Sequence, residues 1–233
     1  IFATTDTALI EFTNLTMRIW IDDVVLTRVS VSAAITNGTF AGNITGWTDG
    51  SEVGAAIAYE APSMLKLTGS GTAHAIAYQI VAIALADQTK EHGLRVVIAR
   101  GPVEFKVGTA LGDGSLVALT VLDTGTYSFG VTPGSGVANI YIQFKSSLPY
   151  KVLISNCTIE AAGAVTITSP YAAADLSTIR FDQSADTVFL AATSTCQQHK
   201  VERRGTRPGA RSWGISLYLV DDGPFLTQNF GPA

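Results

Sequence analysis

Leu94-Arg95-Val96-Val97-Ile98-Ala99-Arg100, Gly101-Pro102, Val103-Glu104-Phe105-Lys106-Val107-Gly108: the reading of residues 94–108 decides the fold class. The first seven residues are rich in β-branched side chains, which suit a pleated surface better than a helix. The last six alternate apolar and polar with a period of two, the signature of a strand with one face in a core and the other in water. Between them Gly101-Pro102 turns the chain. The segment therefore reads as strand, turn, strand.

Working outward, the same grammar repeats. Upstream, Met64-Leu65-Lys66-Leu67-Thr68 alternates and stops at Gly69-Ser70-Gly71. Residues 74–85 set Ile76, Tyr78 and Ile80 on one face and Gln79, Val81, Ile83 and Leu85 on the other. Their length would also suit an amphipathic helix, but β-branched residues dominate and favour a strand, with a polar loop expected over residues 86–93. Downstream, residues 116–121, 126–132 and 139–145 are separated by Asp123-Thr124-Gly125 and Pro133-Gly134-Ser135-Gly136, and residues 152–160 form a closing strand. Short strands at regular spacing, about eight of them, predict an all-β jelly-roll sandwich.

This sandwich is expected to be a domain within a chain, spanning residues 37–163. Residues 1–36 and 164–233 are too short to bury cores of their own and read as one discontinuous β module that the sandwich interrupts; an insert with adjacent ends disturbs its host least. Residues 7–20 have a hairpin pattern, Asp22-Asp23 a turn, and residues 24–29 a further strand. After the insert, an alanine-rich helical turn at 171–176 precedes strands at 179–184 and 187–190, broken by Ala185-Asp186. Residues 199–204 and 212–220 then pair across a turn at 205–210. Because the chain opens in strand-like sequence at Ile1, it reads as a fragment of something longer.

Composition bounds the function. With 47% apolar and 15% charged residues, 22 glycines and 8 prolines, the chain reads as turn-rich β structure, not disorder. A formal charge of −4 argues against general nucleic-acid affinity and leaves room for local basic patches. Cys157 and Cys196 do not make a disulfide framework and read as two reduced thiols of a protein made in a reducing cytoplasm. The most apolar run, residues 73–86, has 14 residues including His74 and Gln79, short of the roughly 20 that cross a bilayer, so no membrane insertion is expected. The N-terminus shows no secretory signal pattern.

Two resemblances follow. The flanking part resembles tail proteins of short-tailed bacteriophages, of the nozzle or tail tubular B type. Carrying it are residues 1–12 with Met17-Arg18-Ile19-Trp20, Ser169-Pro170-Tyr171-Ala172-Ala173-Ala174-Asp175-Leu176, Gln183-Ser184-Ala185-Asp186, Lys200-Val201-Glu202-Arg203-Arg204, Ser212-Trp213 and Asp222-Gly223-Pro224-Phe225. The insert resembles jelly-roll carbohydrate-binding modules that open Asn-Gly-x-Phe and continue to Gly-Trp, here Asn37-Gly38-Thr39-Phe40 and Gly46-Trp47. The closing strand of such modules often carries an acidic residue at a structural calcium, where this chain has Asn156, so neither metal nor other cofactor is expected.

The candidate sites follow from side-chain chemistry. Trp47 and Tyr59 are the carbohydrate-stacking candidates, with Tyr78, Tyr127 and Tyr141 behind them, because an aromatic face complements the C–H groups of a pyranose. For Trp47 the competing reading is a core position beside Phe40, whereas Tyr59 lies in a loop-like stretch before Pro62. Lys200, Arg203, Arg204, Arg207 and Arg211 form a basic cluster, which would line a DNA channel, grip a neighbouring subunit, or make a solvated hairpin tip partly neutralised by Glu202. No catalytic constellation stands out: Asp22-Asp23 and Asp221-Asp222 sit in turns, His74, His92 and His199 lack metal-ligand spacing, and Gly69-Ser70-Gly71 lacks the lysine and helix of a phosphate loop. An enzyme is therefore not expected. The resemblances imply a structural virion protein, made in the host cytoplasm, that joins other tail proteins as a homo-oligomer, a hexameric ring, for genome delivery. The alternative is a glycan-binding module for host-surface attachment.

Overall fold

The period-two segments become strands because alternation gives each one an apolar face, and two such faces close on one another. In a computed structural model, which describes residues 34–162, 167, 169–192, 197–205 and 212–218, the protein is an all-β sandwich of two antiparallel sheets. One sheet has five strands in the order β1 (Thr48–Asp49), β4 (Ala75–Ala82), β9 (Asn139–Ser146), β6 (Val103–Gly108) and β7 (Val117–Leu122). The other has nine, in the order β11 (Arg180–Ser184), β12 (Thr187–Ala191), β13 (His199–Gly205), β14 (Ser212–Leu217), β8 (Gly125–Val131), β5 (His92–Arg100), β10 (Val152–Ala162), β3 (Met64–Thr68) and β2 (Ala56–Glu60).

The inner faces meet in one core. Phe105 sits at its centre, with the Phe129 ring 5.0 Å away and that of Phe144 5.1 Å away, so aromatic rings from both sheets interlock. Leu65, Leu67, Leu94, Ile98, Leu122, Ile140, Ile142 and Ile154 are fully buried around them. At about 1.5–3 kcal/mol for each large side chain buried, this layer is the main stabilising term. Cys157 is a free thiol inside the core, and burial pushes it well above the usual thiol range. Cys196 lies outside the described residues.

The opening motif has a physical role. Gly38 lies directly against β10: its carbonyl accepts a 2.8 Å bond from the Cys157 amide, and a Cβ at Gly38 would stand 1.9 Å from the Cys157 carbonyl oxygen. Asn37, at φ 50, turns the chain there, and its side-chain amide donates to the Asn43 carbonyl at 2.8 Å. Phe40 can then drop into the core, where the Trp47 ring lies 5.6 Å away. Just upstream, the buried Gln79 carboxamide bonds both the amide and the carbonyl of Thr36, at 2.6 and 2.9 Å. The start of the sandwich is thus pinned to β4 and β10.

Several expectations change. Residues 86–93 are not a solvated loop: after a short 3₁₀ turn at Leu85–Asp87, the Asp87, Gln88 and His92 side chains are buried, and Gln88 Oε1 accepts from the Gly136 amide at 2.8 Å. The strands β1 and β2 were not anticipated, because neither has enough alternation of its own. On β4 the face that turns inward is Ala75, Ala77, Gln79 and Val81, while Ile76, Tyr78 and Ile80 face out. Small residues fit close sheet packing, and the aromatic face is left to solvent.

The segments after the sandwich do not form a separate layer. Strand β14 pairs with β8 through Ser212↔Phe129, Trp213↔Ser128, Gly214↔Tyr127 and Ile215↔Thr126, so β11–β14 extend the sandwich's own sheet. The alanine-rich stretch forms a 3₁₀ turn, Ala173–Thr178, in which Asp175 accepts from the Ala172 amide at 2.9 Å. Before that turn Tyr171 is buried, its hydroxyl donating to the Leu190 carbonyl and its ring edge-on to His199 at 5.5 Å. The hairpin, turn and strand expected within residues 1–33, and the turn at Asp221-Asp222, lie outside the described residues.

Candidate functional site

The five-stranded sheet turns a mixed aromatic and polar face outward. Register sets Tyr78 opposite Gln143, Ile80 opposite Tyr141 and Ile76 opposite Lys145, and on the next strand Gly108 opposite Tyr141, Lys106 opposite Gln143 and Glu104 opposite Lys145. Pairs directly opposite in a sheet share a face. Tyr78 and Tyr141 therefore lie diagonally adjacent, half-exposed, beside the exposed Ile80. Gly50 makes room for one ring: a Cβ there would come within 3.2 Å of Tyr78 Cε1.

A loop folds over one side of this face. Lys106 Nζ donates to the Gly112 carbonyl at 2.8 Å, and the Gly112 amide donates to Gln143 Oε1 at 3.1 Å. Asp113 locks the loop internally, accepting from the amides and hydroxyls of Thr109 and Ser115, with the Ser115 hydroxyl at 2.6 Å. Those bonds, the Ser115 hydroxyl first, hold its carboxyl down at about 2. On the opposite side Glu52 accepts from the His74 amide and faces His74 Nδ1, both at 2.9 Å, and the His74 side-chain bond lowers its pKa. Half-exposed rings between fixed polar walls suit stacking and hydrogen bonding to a polyhydroxylated ligand.

The two leading aromatic candidates sit elsewhere. Trp47 is 7% exposed and wedged between Phe40 and Phe144, its ring 5.7 Å from the latter, so it is a core residue with no face to offer a sugar. Tyr59 is not in a loop: it lies on β2 opposite the fully buried Leu65, and its hydroxyl donates to the Pro62 carbonyl at 2.5 Å. It faces the inner side at the sheet margin. Tyr127 is buried too, and that burial pushes its phenol up to about 12.

Within the described part of the basic cluster, each cation has a partner in the same chain. Lys200 pairs with Glu202 at 3.0 Å and Arg203 with Asp186 at 3.0 Å. Arg204 reaches across the seam: its guanidinium stands 5.2 Å from the Tyr127 ring centre and donates to Thr120 Oγ1 and the Val121 carbonyl at 3.2 and 3.1 Å. Gly214 lets the Tyr127 ring lie flat there, since a Cβ would come within 3.0 Å of Tyr127 Cδ1. Arg204 thus clamps the seam within one chain while its side chain stays exposed. Arg207 and Arg211 lie outside the described residues.

Near that seam is a cleft of about 260 Å³, lined by Thr124, Thr126, Ser169, His199, Ile215 and Leu217 among others. No group of three or more His, Cys, Asp or Glu side chains suited to a metal occurs among the described residues. Asn156 instead accepts from the Thr158 hydroxyl at 3.2 Å. No helix among the described residues is long and apolar enough to cross a membrane.

The outer-face residues were within reach of sequence reasoning. Tyr78 and Tyr141 stand in the sequence as secondary stacking candidates, whereas Lys106 and Gln143 carry no signal there, because their role depends on which strands become neighbours. No protein-family model matches this sequence, and no curated protein matches it.

Proposed function

We propose that the chain is a structural virion protein, part of a phage tail nozzle or hub, carrying the sandwich as a fixed surface domain. The observation that carries this reading is the β14–β8 ladder. The segments with tail-protein resemblance, Pro170-Tyr171, Ala174-Asp175-Leu176, Gln183-Ser184-Ala185-Asp186, Arg203-Arg204 and Ser212-Trp213, gather on β11–β14 and the turn before them. That unit is hydrogen-bonded to β8 and clamped by Arg204, which favours a rigid mount over a tethered module. Subunits would assemble as a ring, six by resemblance, and the mount would hold every copy of the sandwich in one orientation. Cryo-electron microscopy of the assembled protein tests this. Ring-shaped density with the sandwich projecting is expected, and a monomer at high concentration with no ring would overturn it.

A second reading is favoured by Tyr78 and Tyr141: the outer face of the five-stranded sheet binds host-surface glycan. A glycan array probed with the chain and with its Tyr78→Ala and Tyr141→Ala variants tests it. Binding lost in both variants supports the reading, and an array blank for the parent chain refutes it.

A further inference from the structure

We propose that Asn37-Gly38 is a self-modifying site, a deamidation centre that the folded sandwich holds unreactive and the open chain releases. The proposal goes beyond the tail and glycan readings and rests on neither.

An asparagine side chain cyclises onto the backbone nitrogen of the next residue when the two can meet. The Gly38 nitrogen, its proton passed to hydroxide, forms a bond to Asn37 Cγ; the Cγ–Nδ2 bond breaks, and its electron pair leaves with the nitrogen as ammonia. Water then opens the succinimide at either carbonyl, giving aspartate, or isoaspartate in which the chain runs through the former side chain. A side chain on the following residue hinders the attack, whereas glycine has none and supplies the backbone freedom that ring closure needs. Of the chain's six asparagines, Asn37 alone precedes a glycine; Leu15, Ile44, Ile140, Cys157 and Phe230 follow the others.

The fold withholds both reacting groups. Asn37 Oδ1 accepts from the Ala41 amide at 2.9 Å, and Nδ2 donates to the Asn43 carbonyl at 2.8 Å and to Asn43 Oδ1 at 2.9 Å. A backbone donor on one side and a backbone acceptor on the other fix which end of the carboxamide is which. Asn43 Oδ1 is itself held by the Thr45 amide at 2.9 Å. The attacking residue is fixed as well: Gly38 is buried, its carbonyl is bonded to the Cys157 amide at 2.8 Å, and the Cys157 carbonyl stands against its Cα. Swinging Cγ onto the Gly38 nitrogen breaks the carboxamide's bonds to residues 41 and 43, so reaction requires the turn to open.

The product no longer fits the site. Aspartate at position 37 puts an oxygen where Nδ2 stood, an acceptor facing the two Asn43 acceptors. Isoaspartate adds a backbone atom beside Gly38, where even a Cβ collides with β10. Modification of the open chain therefore blocks closure of the sandwich, and time spent unfolded is recorded irreversibly at one residue.

Peptide mapping by mass spectrometry tests this on the full chain, incubated native and in urea at mildly alkaline pH, with aspartate and isoaspartate products separated by chromatography. In urea, Asn37 should convert ahead of the five other asparagines, and in the native chain it should convert at least about tenfold more slowly. Asn43→Ala, which removes one hold on Nδ2, should raise the native rate several-fold and leave the urea rate unchanged. Arg204→Ala, several strands away across the sheet, should leave both rates unchanged. Chains aged in urea and then returned to buffer should carry isoaspartate at position 37 mainly in the fraction that fails to refold, and Asn37→Asp, whose backbone conformation aspartate tolerates, should lower the urea midpoint. Equal native and urea rates, another asparagine converting first in urea, an Asn43→Ala native rate equal to that of the parent or of Arg204→Ala, or aged chains that refold fully with isoaspartate in place would overturn the proposal.

Discussion

Replacing Gly38 by alanine tests the account of how the sandwich is closed. The added methyl would sit 1.9 Å from the Cys157 carbonyl oxygen, roughly 1.5 Å inside ordinary contact. That oxygen belongs to β10, a central strand paired to both β5 and β3, so it does not yield easily. Opening the gap stretches the 2.8 Å bond from the Cys157 amide to the Gly38 carbonyl past any hydrogen-bonding distance. Leaving that buried amide without a partner costs about 1–3 kcal/mol, and overpacking adds a similar amount. Destabilisation of about 2–6 kcal/mol is therefore expected, read as a fall in the urea midpoint with the slope unchanged. Gly42→Ala is the control: its φ of +73 is left-handed, but nothing lies within 4 Å of its Cβ position. It should cost only about 1–2 kcal/mol, the backbone penalty alone. A midpoint for Gly38→Ala equal to the parent's, or no lower than that of Gly42→Ala, would refute the steric argument.

Other predictions test the seam, a turn and a loop. Arg204→Ala removes two hydrogen bonds and a ring contact at the seam, and should cost about 1–2 kcal/mol with faster amide exchange in β13 and β14; unchanged exchange there would show that the clamp contributes nothing. Ala185 sits at φ 51 at the first position of a two-residue hairpin loop, where glycine is preferred, so Ala185→Gly should raise stability by about 1 kcal/mol in thermal unfolding. Asp113, held at about 2 against its usual 3.8, ties the 109–115 loop most strongly above the usual value. As pH falls from about 4 to about 2 that contribution is lost, and amide exchange in the loop should accelerate, an effect absent in Asp113→Asn.

The sequence by itself determined the class of fold. Period-two alternation, Gly- and Pro-rich turns and β-branched runs located most of the strands, because whether a segment has one apolar face is a local property. The hairpin over Ala185-Asp186 and the helical turn near Asp175 were legible for the same reason. Tertiary structure decided everything that depends on which strands become neighbours. It buried Trp47, turned Tyr59 inward at the margin of β2, and left Tyr78 outward, since alternation marks two faces without saying which meets the other sheet. Segments that read as a separate host were joined to the sandwich through β8, because strand pairing uses backbone groups that every sequence carries alike. Arg204, read as one charge in a basic run, became a clamp only once β13 lay beside β14 and reached β7, a contact between residues 84 positions apart.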